Sequence, residues 1–167
     1  GRAEPAAEEG GFFVNCATGG YHIVFGKLMT RSICVPPSTY DKLYPYQRDA
    51  LLWMWRLNLQ SMGGILGDDM GLGKTVQICA YLSCLFVSQR CKRVLLLCPV
   101  SVIATWQREL SVWCPDVRVS VYHGKTGKAR DAALNKVLKS GGVVVTTYGM
   151  AKTSHKALSA VPGSSRE

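Results

Sequence analysis

Charge is scarce in this chain. Asp, Glu, Lys and Arg make up 19% of the 167 residues, and only 11 residues are acidic. With 47% hydrophobic residues it is not a self-repelling disordered segment, and it has enough apolar side chain to bury a core in one ordinary domain. Membrane-length runs are missing too. The uncharged stretch Thr75–Gln89, between Lys74 and Arg90, holds 15 residues, short of the ~20 that a helix needs to cross a bilayer. No signal-peptide pattern opens the chain, so secretion is not expected. The first residue is Gly1 rather than Met, which reads as a piece of something longer.

No Cys-x-x-Cys pair occurs among the seven cysteines (Cys16, Cys34, Cys79, Cys84, Cys91, Cys98 and Cys114). The count is odd, and most lie in apolar runs such as Val94-Leu95-Leu96-Leu97-Cys98. Buried, reduced thiols fit this pattern, whereas zinc or a disulfide framework does not. The expected compartment is a reducing one.

What charge there is lies unevenly. The net charge is +9. Between Arg118 and Lys156 stand eight bases and the single acid Asp131, while the first ten residues carry three Glu against Arg2. A polyanionic partner and a merely solvated helix face account equally well for the basic half.

The order of patterns gives four stretches. Residues 1–11 are small, acidic and Gly-rich, a flexible end. Residues 12–39 hold two β-prone runs, 12–16 and 21–25, that read as a hairpin, followed by the breaker Val35-Pro36-Pro37-Ser38. From 40 to 150 helices and strands alternate. Helices are expected near 46–60, 73–87, from Ser101 as cap through Trp113, and near 128–138. Strands are expected at 64–66, 93–98, 117–122 and 142–147. Residues 151–167 are weakly patterned. Strands that are apolar throughout, separated by helices, specify an α/β fold with a parallel sheet covered on both faces. Trp106 and Trp113 read as packing residues, and His123-Gly124 as a turn.

The loop between the expected strand at 64–66 and the helix from 73 carries the chemistry. It reads Asp68-Asp69-Met70-Gly71-Leu72-Gly73-Lys74-Thr75. Gly71 and Gly73 allow the backbone to turn its N–H groups toward a phosphate, and the following helix presents its positive end to the same anion. In such a loop Lys74 reaches the β and γ phosphates of a nucleotide and the Thr75 hydroxyl ligates Mg²⁺. The strict pattern asks for Gly where Asp68 stands. Its aspartates make sense if a divalent ion offsets them, or if they cap the loop through backbone hydrogen bonds.

The stretch Gly63 to Gln77 resembles the nucleotide-binding motif of the Snf2 group within helicase superfamily 2. Three further segments resemble that family's motifs in its order. Leu43-Tyr44-Pro45-Tyr46-Gln47 is similar to the adenine-reading element, which implies that the Gln47 amide pairs with the base. Leu96 to Ser101, followed by Trp106 and Glu109, and Val144 to Tyr148 are similar to motifs that face DNA. This implies backbone contacts from Pro99, Ser101, Thr146 and Thr147. Pro99 and Ser101 equally suit a strand stop and a helix cap, and the threonines suit a plain strand. Within the group the chain resembles the Cockayne syndrome group B and PICH-like branch of DNA translocases, over about 40–150.

The resemblance implies a RecA-like P-loop lobe, an incomplete lobe 1. It further implies a cofactor pair of ATP and Mg²⁺, with Asp68 to Thr75 holding the nucleotide. The implied partner is double-stranded DNA, free or in nucleosomes, in a nuclear protein of chromatin remodelling or DNA repair, with no membrane. Family ATPases also need a strand ending in Asp-Glu, and a second lobe. No Asp-Glu dipeptide exists here; in relatives that strand begins about where Pro162-Gly163 stands. The expectation is therefore an ATP-binding part of a longer hydrolase, inactive alone. The alternative is a truncated, non-catalytic module that binds DNA or a protein.

Overall fold

Antiparallel pairing opens the chain. In the computed structural model, which describes residues 11–15, 20–25, 32–124 and 126–161, β1 (Phe12–Asn15) pairs with β2 (Tyr21–Val24) in the register Phe13↔Ile23. This is the expected hairpin; its connecting residues 16–19 lie outside the described residues, as does 1–10. A third strand, β3 (Ile33–Val35), joins the sheet in the order β1-β2-β3. The sequence reading missed it because only three residues precede the Pro36-Pro37 break. Their alternation is nonetheless that of a strand with one face covered, since Ile33 and Val35 are fully buried and Cys34 between them is not.

Two compact units follow the chain, Gly1–Gln77 and Ile78–Glu167. In the first, Pro37 starts the single turn α1 (Pro37–Tyr40), and Pro45 starts α2 (Pro45–Leu59). Proline suits both first-turn positions, where its missing N–H has no partner to lose. Tyr40 ties the small sheet to α2: its ring stacks on Tyr21 at 3.7 Å, and the Arg48 guanidinium lies 3.9 Å over its other side while donating to the Tyr40 carbonyl. α2 buries Leu51, Met54 and Trp55.

The strand expected at 64–66 does not form. A strand exists only where a neighbour completes its ladder, and no described strand pairs with this segment; Ile65 stands 91% exposed. The chain runs from α2 as an irregular loop into α3 (Lys74–Val87).

The second unit is built on three parallel strands, β4 (Arg93–Leu97), β5 (Val119–Tyr122) and β6 (Gly142–Thr146), in the order β4-β6-β5. β6 is central and buried along its whole length, as a strand covered on both faces must be. α4 (Ile103–Trp113), which follows a short 3₁₀ turn at Val100–Val102, connects β4 to β5, and α5 (Gly127–Ser140) connects β5 to β6. Ser101 lies inside that turn and caps nothing: Val102 occupies the N-cap position, and no side chain caps it. Much of the weakly patterned end is ordered as α6 (Tyr148–Thr153) and α7 (His155–Leu158). Leu158 and Val161 reach the same core as Tyr122, Leu134, Val137 and Val144. No described helix is long and apolar enough to cross a membrane.

Four of the described cysteines, Cys79, Cys84, Cys98 and Cys114, are buried. The Cys114 thiol donates to the Cys79 carbonyl at 3.3 Å. Burial, with the charges of Cys114 and Glu109 adding at Cys79, pushes the Cys79 thiol up to about 12 and the Cys114 thiol up to about 11.

Candidate functional site

The glycine loop sits at the start of α3, as its sequence requires. Gly71 and Gly73 take positive φ, +90° and +76°, a region open to glycine at no steric cost. A Cβ on Gly73 would stand 2.7 Å from the Gln47 amide nitrogen, whereas one on Gly71 would meet nothing within 4 Å. Gly73 therefore answers both a torsion and a close approach, Gly71 only a torsion. Met70 and Asp69 at the tip are exposed.

Side chains, not a sheet ladder, hold this loop. The Lys74 ammonium folds back and donates to the carbonyls of Asp68, at 2.6 Å, and Asp69, at 2.9 Å. Gln77, fully buried one turn into α3, donates through Nε2 to the Asp68 carboxylate at 2.9 Å and to the Leu72 carbonyl at 3.2 Å. The same Leu72 carbonyl accepts from Gln47 Nε2 at 3.2 Å. Gln47 is itself buried, and its Oε1 accepts from the Tyr44 N–H at 3.1 Å, closing the first turn of α2.

Asp68 makes protein contacts that the sequence pattern does not suggest. Its carboxylate is held by a glutamine side chain, and its backbone carbonyl by Lys74. Gln77 is not among the site residues that the sequence motif suggests. The available signal was its spacing: three residues after Lys74, on the same face of the helix, it reaches back over the loop.

Among the described residues no group of three or more His, Cys, Asp or Glu can hold a metal ion. Thr75, the hydroxyl expected to ligate an ion that arrives with phosphates, is half-buried in the first turn of α3. That donor set fits a nucleotide-borne Mg²⁺, for which one protein oxygen and phosphate oxygens suffice, and does not fit a resident metal.

Beside the loop, Tyr46, Asp49, Ala50 and Trp53 of α2 face Leu66 and Leu72 across a cleft of about 500 Å³. In the second unit, the C-terminal ends of β4 and β6 open on a cleft of about 570 Å³ lined by Pro99, His123 and Thr147. Thr147 caps α6, its hydroxyl accepting from the Met150 N–H and lying 3.5 Å from His123 Nδ1. Ser101 is exposed nearby in sequence. Thr146 is not brought to that cleft: it is fully buried and donates its hydroxyl to the Tyr122 carbonyl at 2.8 Å. Alternation along the strand explains the split, since adjacent residues point to opposite sides.

A parallel sheet flanked by helices, with a glycine loop entering a helix, defines a nucleotide-binding α/β class of RecA type. The particular family follows from comparison. Residues 46–164 match the SNF2-related domain, and the chain belongs to that family. It is 42% identical over 127 residues to Protein CHROMATIN REMODELING 24 of Arabidopsis thaliana, covering 76% of this chain and 12% of that protein. It is 38% identical over 125 residues to the human DNA excision repair protein ERCC-6-like, covering 74% and 10%. The Sulfolobus solfataricus SWI2/SNF2 ATPase core in complex with dsDNA superposes with a TM-score of 0.56 at 34% identity, over 65% of this chain and 22% of that one. The chain spans about a tenth of the length of the curated relatives it matches.

Proposed function

We propose that this chain is the ATP-binding portion of a nuclear, DNA-dependent ATPase that moves along double-stranded DNA in repair or chromatin remodelling. The observation that supports this reading best is the Lys74 ammonium lodged within the glycine loop, where it donates to two carbonyls that a triphosphate can relieve. Phosphate oxygens make stronger, charge-assisted partners for the same group. Binding then needs only a side-chain swing and no refolding. Gly71 and Gly73 free the backbone N–H groups for the β and γ phosphates, and Thr75 would hold Mg²⁺. That ion, when bound with nucleotide, neutralises phosphate charge. Gln47 links α2 to the loop, so that a base seated against α2 and phosphates on the loop are sensed by one hydrogen-bonded unit. Pro99, Ser101 and Thr147 are the proposed contacts to the DNA backbone.

Turnover is a separate matter. In-line attack needs a positioned water and a fully coordinated metal, and no Asp-Glu pair is present to supply them. The 167-residue chain should bind mant-ATP saturably, weakly and in a magnesium-dependent way. Lys74→Ala should weaken that binding by roughly ten- to a hundredfold, the worth of charge-assisted bonds. A malachite-green assay should detect no phosphate release with or without duplex DNA. Absence of a saturable signal, or indifference to Lys74→Ala, defeats the nucleotide reading. DNA-stimulated release defeats the claim that the chain alone is inert.

A further inference from the structure

The opposite end of the β4-β6-β5 sheet carries a feature that nucleotide binding does not use. All three strands run parallel, so their N-terminal ends share one edge, and there a cleft of about 670 Å³ opens. Its basic lining is Lys92, Arg93, Arg118 and Lys139, against one acid, Asp116. The register sets Arg93 of β4 beside Gly142 of β6, and Arg118, just before β5, borders Gly142 from the other side. Two guanidinium-bearing residues therefore flank a floor without side chains. That floor is enforced: a Cβ on Gly142, at φ +127°, would stand 2.3 Å from the Arg118 carbonyl, and one on Gly141, at φ +83°, would stand 2.7 Å from the Lys92 carbonyl.

Not every base here is surplus. Lys139 lies in the last turn of α5 and answers the negative end of that helix. Lys92, Arg93 and Arg118 stand at strand starts, where the backbone dipole is small. Among the described residues none of the three has a carboxylate within ion-pair distance. Phe86, Val117 and Leu138, each half-buried, supply apolar wall.

We propose that this cleft docks an acidic peptide segment of a partner protein, its carboxylates on Lys92, Arg93 and Arg118 and an apolar side chain against Phe86, Val117 and Leu138. Arginine pairs with carboxylate in a two-pronged geometry, and a concave site with apolar walls suits a peptide. Duplex DNA is a broad convex cylinder; it suits a wide basic surface better than a recess between strand ends.

The test is fluorescence anisotropy of a short fluorescein-labelled peptide of Glu, Asp and Leu, titrated with the full 167-residue chain. Saturable binding is expected. The exposed pair Lys92→Glu/Arg118→Glu should weaken it about tenfold or more. The pair Lys152→Glu/Lys156→Glu, an equal charge change outside the cleft, should stay within about twofold. If the first pair melts early by circular dichroism, Lys92→Gln/Arg118→Gln serves in its place. Three results overturn the proposal: no binding, equal loss in both pairs, or an all-Glu peptide binding as well as the Leu-containing one. Duplex DNA that competes and shows the same variant pattern overturns it in favour of nucleic acid.

Discussion

The glycine loop and the parallel sheet are held by opposite means. In the sheet, β6 exchanges backbone hydrogen bonds with a neighbour on each side, and Val143, Val144 and Val145 are fully buried. In the loop, residues 63–70 join no ladder, and the fixing bonds come from the side chains of Gln47, Lys74 and Gln77. A ladder cannot exchange partners without unfolding. A side chain can swing from a carbonyl to a phosphate at the cost of a rotamer change. Exchangeable contacts therefore sit on the loop, and the contacts that only unfolding breaks sit in the strands.

Paired variants test this contrast most directly. Val144→Ala should destabilise by about 2 kcal/mol through lost burial and an incompletely closed cavity, lowering the urea midpoint. It should leave mant-ATP affinity unchanged. Gln77→Leu should do the reverse. It removes the donor that holds Asp68 and Leu72, so affinity should fall about tenfold, the equivalent of one lost charge-assisted bond. Its stability cost should be under ~1 kcal/mol, because the buried Gln77 Oε1 lacks a partner among the described residues and leucine relieves that orphan. If both variants shift both readouts in proportion, the division of labour is wrong.

A smaller contrast lies within the loop. Gly71→Ala and Gly73→Ala both force alanine to positive φ, a strain of about 1–2 kcal/mol each. Only Gly73→Ala also drives a methyl into the Gln47 amide. Gly73→Ala should therefore weaken nucleotide binding severalfold more than Gly71→Ala in the same mant-ATP titration. Equal effects would mean that the Gln47 link to Leu72 plays no part in shaping the loop.

The same division sets how much could be read in the sequence. Apolar runs announced β4, β5 and β6, and the pattern announced α2 to α5 but not α1, α6 or α7, because burial of a face is a periodic signal that needs several turns to show. The hairpin strands at 12–15 and 21–24 were legible for the same reason, and the glycines at 71 and 73 through the turn chemistry of a phosphate loop. Residues 64–66 look like a strand, but a ladder depends on a distant partner that a local pattern cannot reveal. Ser101 looks like a cap, yet the chain makes a 3₁₀ turn first and Val102 takes that position. Thr146 and Thr147 look equivalent, and only the side to which each points separates a core hydroxyl from a cleft residue. Gln77 is silent in a hydropathy pattern, since its role arises from reach across three residues and not from burial alone.

The thiols of the second unit add a pH dependence that neither the loop nor the strands supply. The Cys79 and Cys114 thiols are pushed up to about 12 and about 11, with burial the first cause at each. Unfolding returns them to the ordinary range near 9. A group whose folded pKa is raised contributes stability that is complete below the unfolded value and is lost as pH climbs toward the folded one. From pH 7 to 8 these thiols should give stability no slope. Above pH 9 the unfolded chain sheds protons that the folded chain keeps, and stability should fall by at most about 1.4 kcal/mol per pH unit for each thiol. Urea midpoints measured from pH 7 to 10 should bend downward at the top of that range, and less so in Cys79→Ala/Cys114→Ala. An identical bend in that variant would assign the slope to other groups. Iodoacetamide offers a second reading, because a thiol kept protonated by burial reacts only when the unit opens. Native-state alkylation at pH 8 should therefore spare Cys79 and Cys114, and denaturant should expose them together with the rest of the sheet unit.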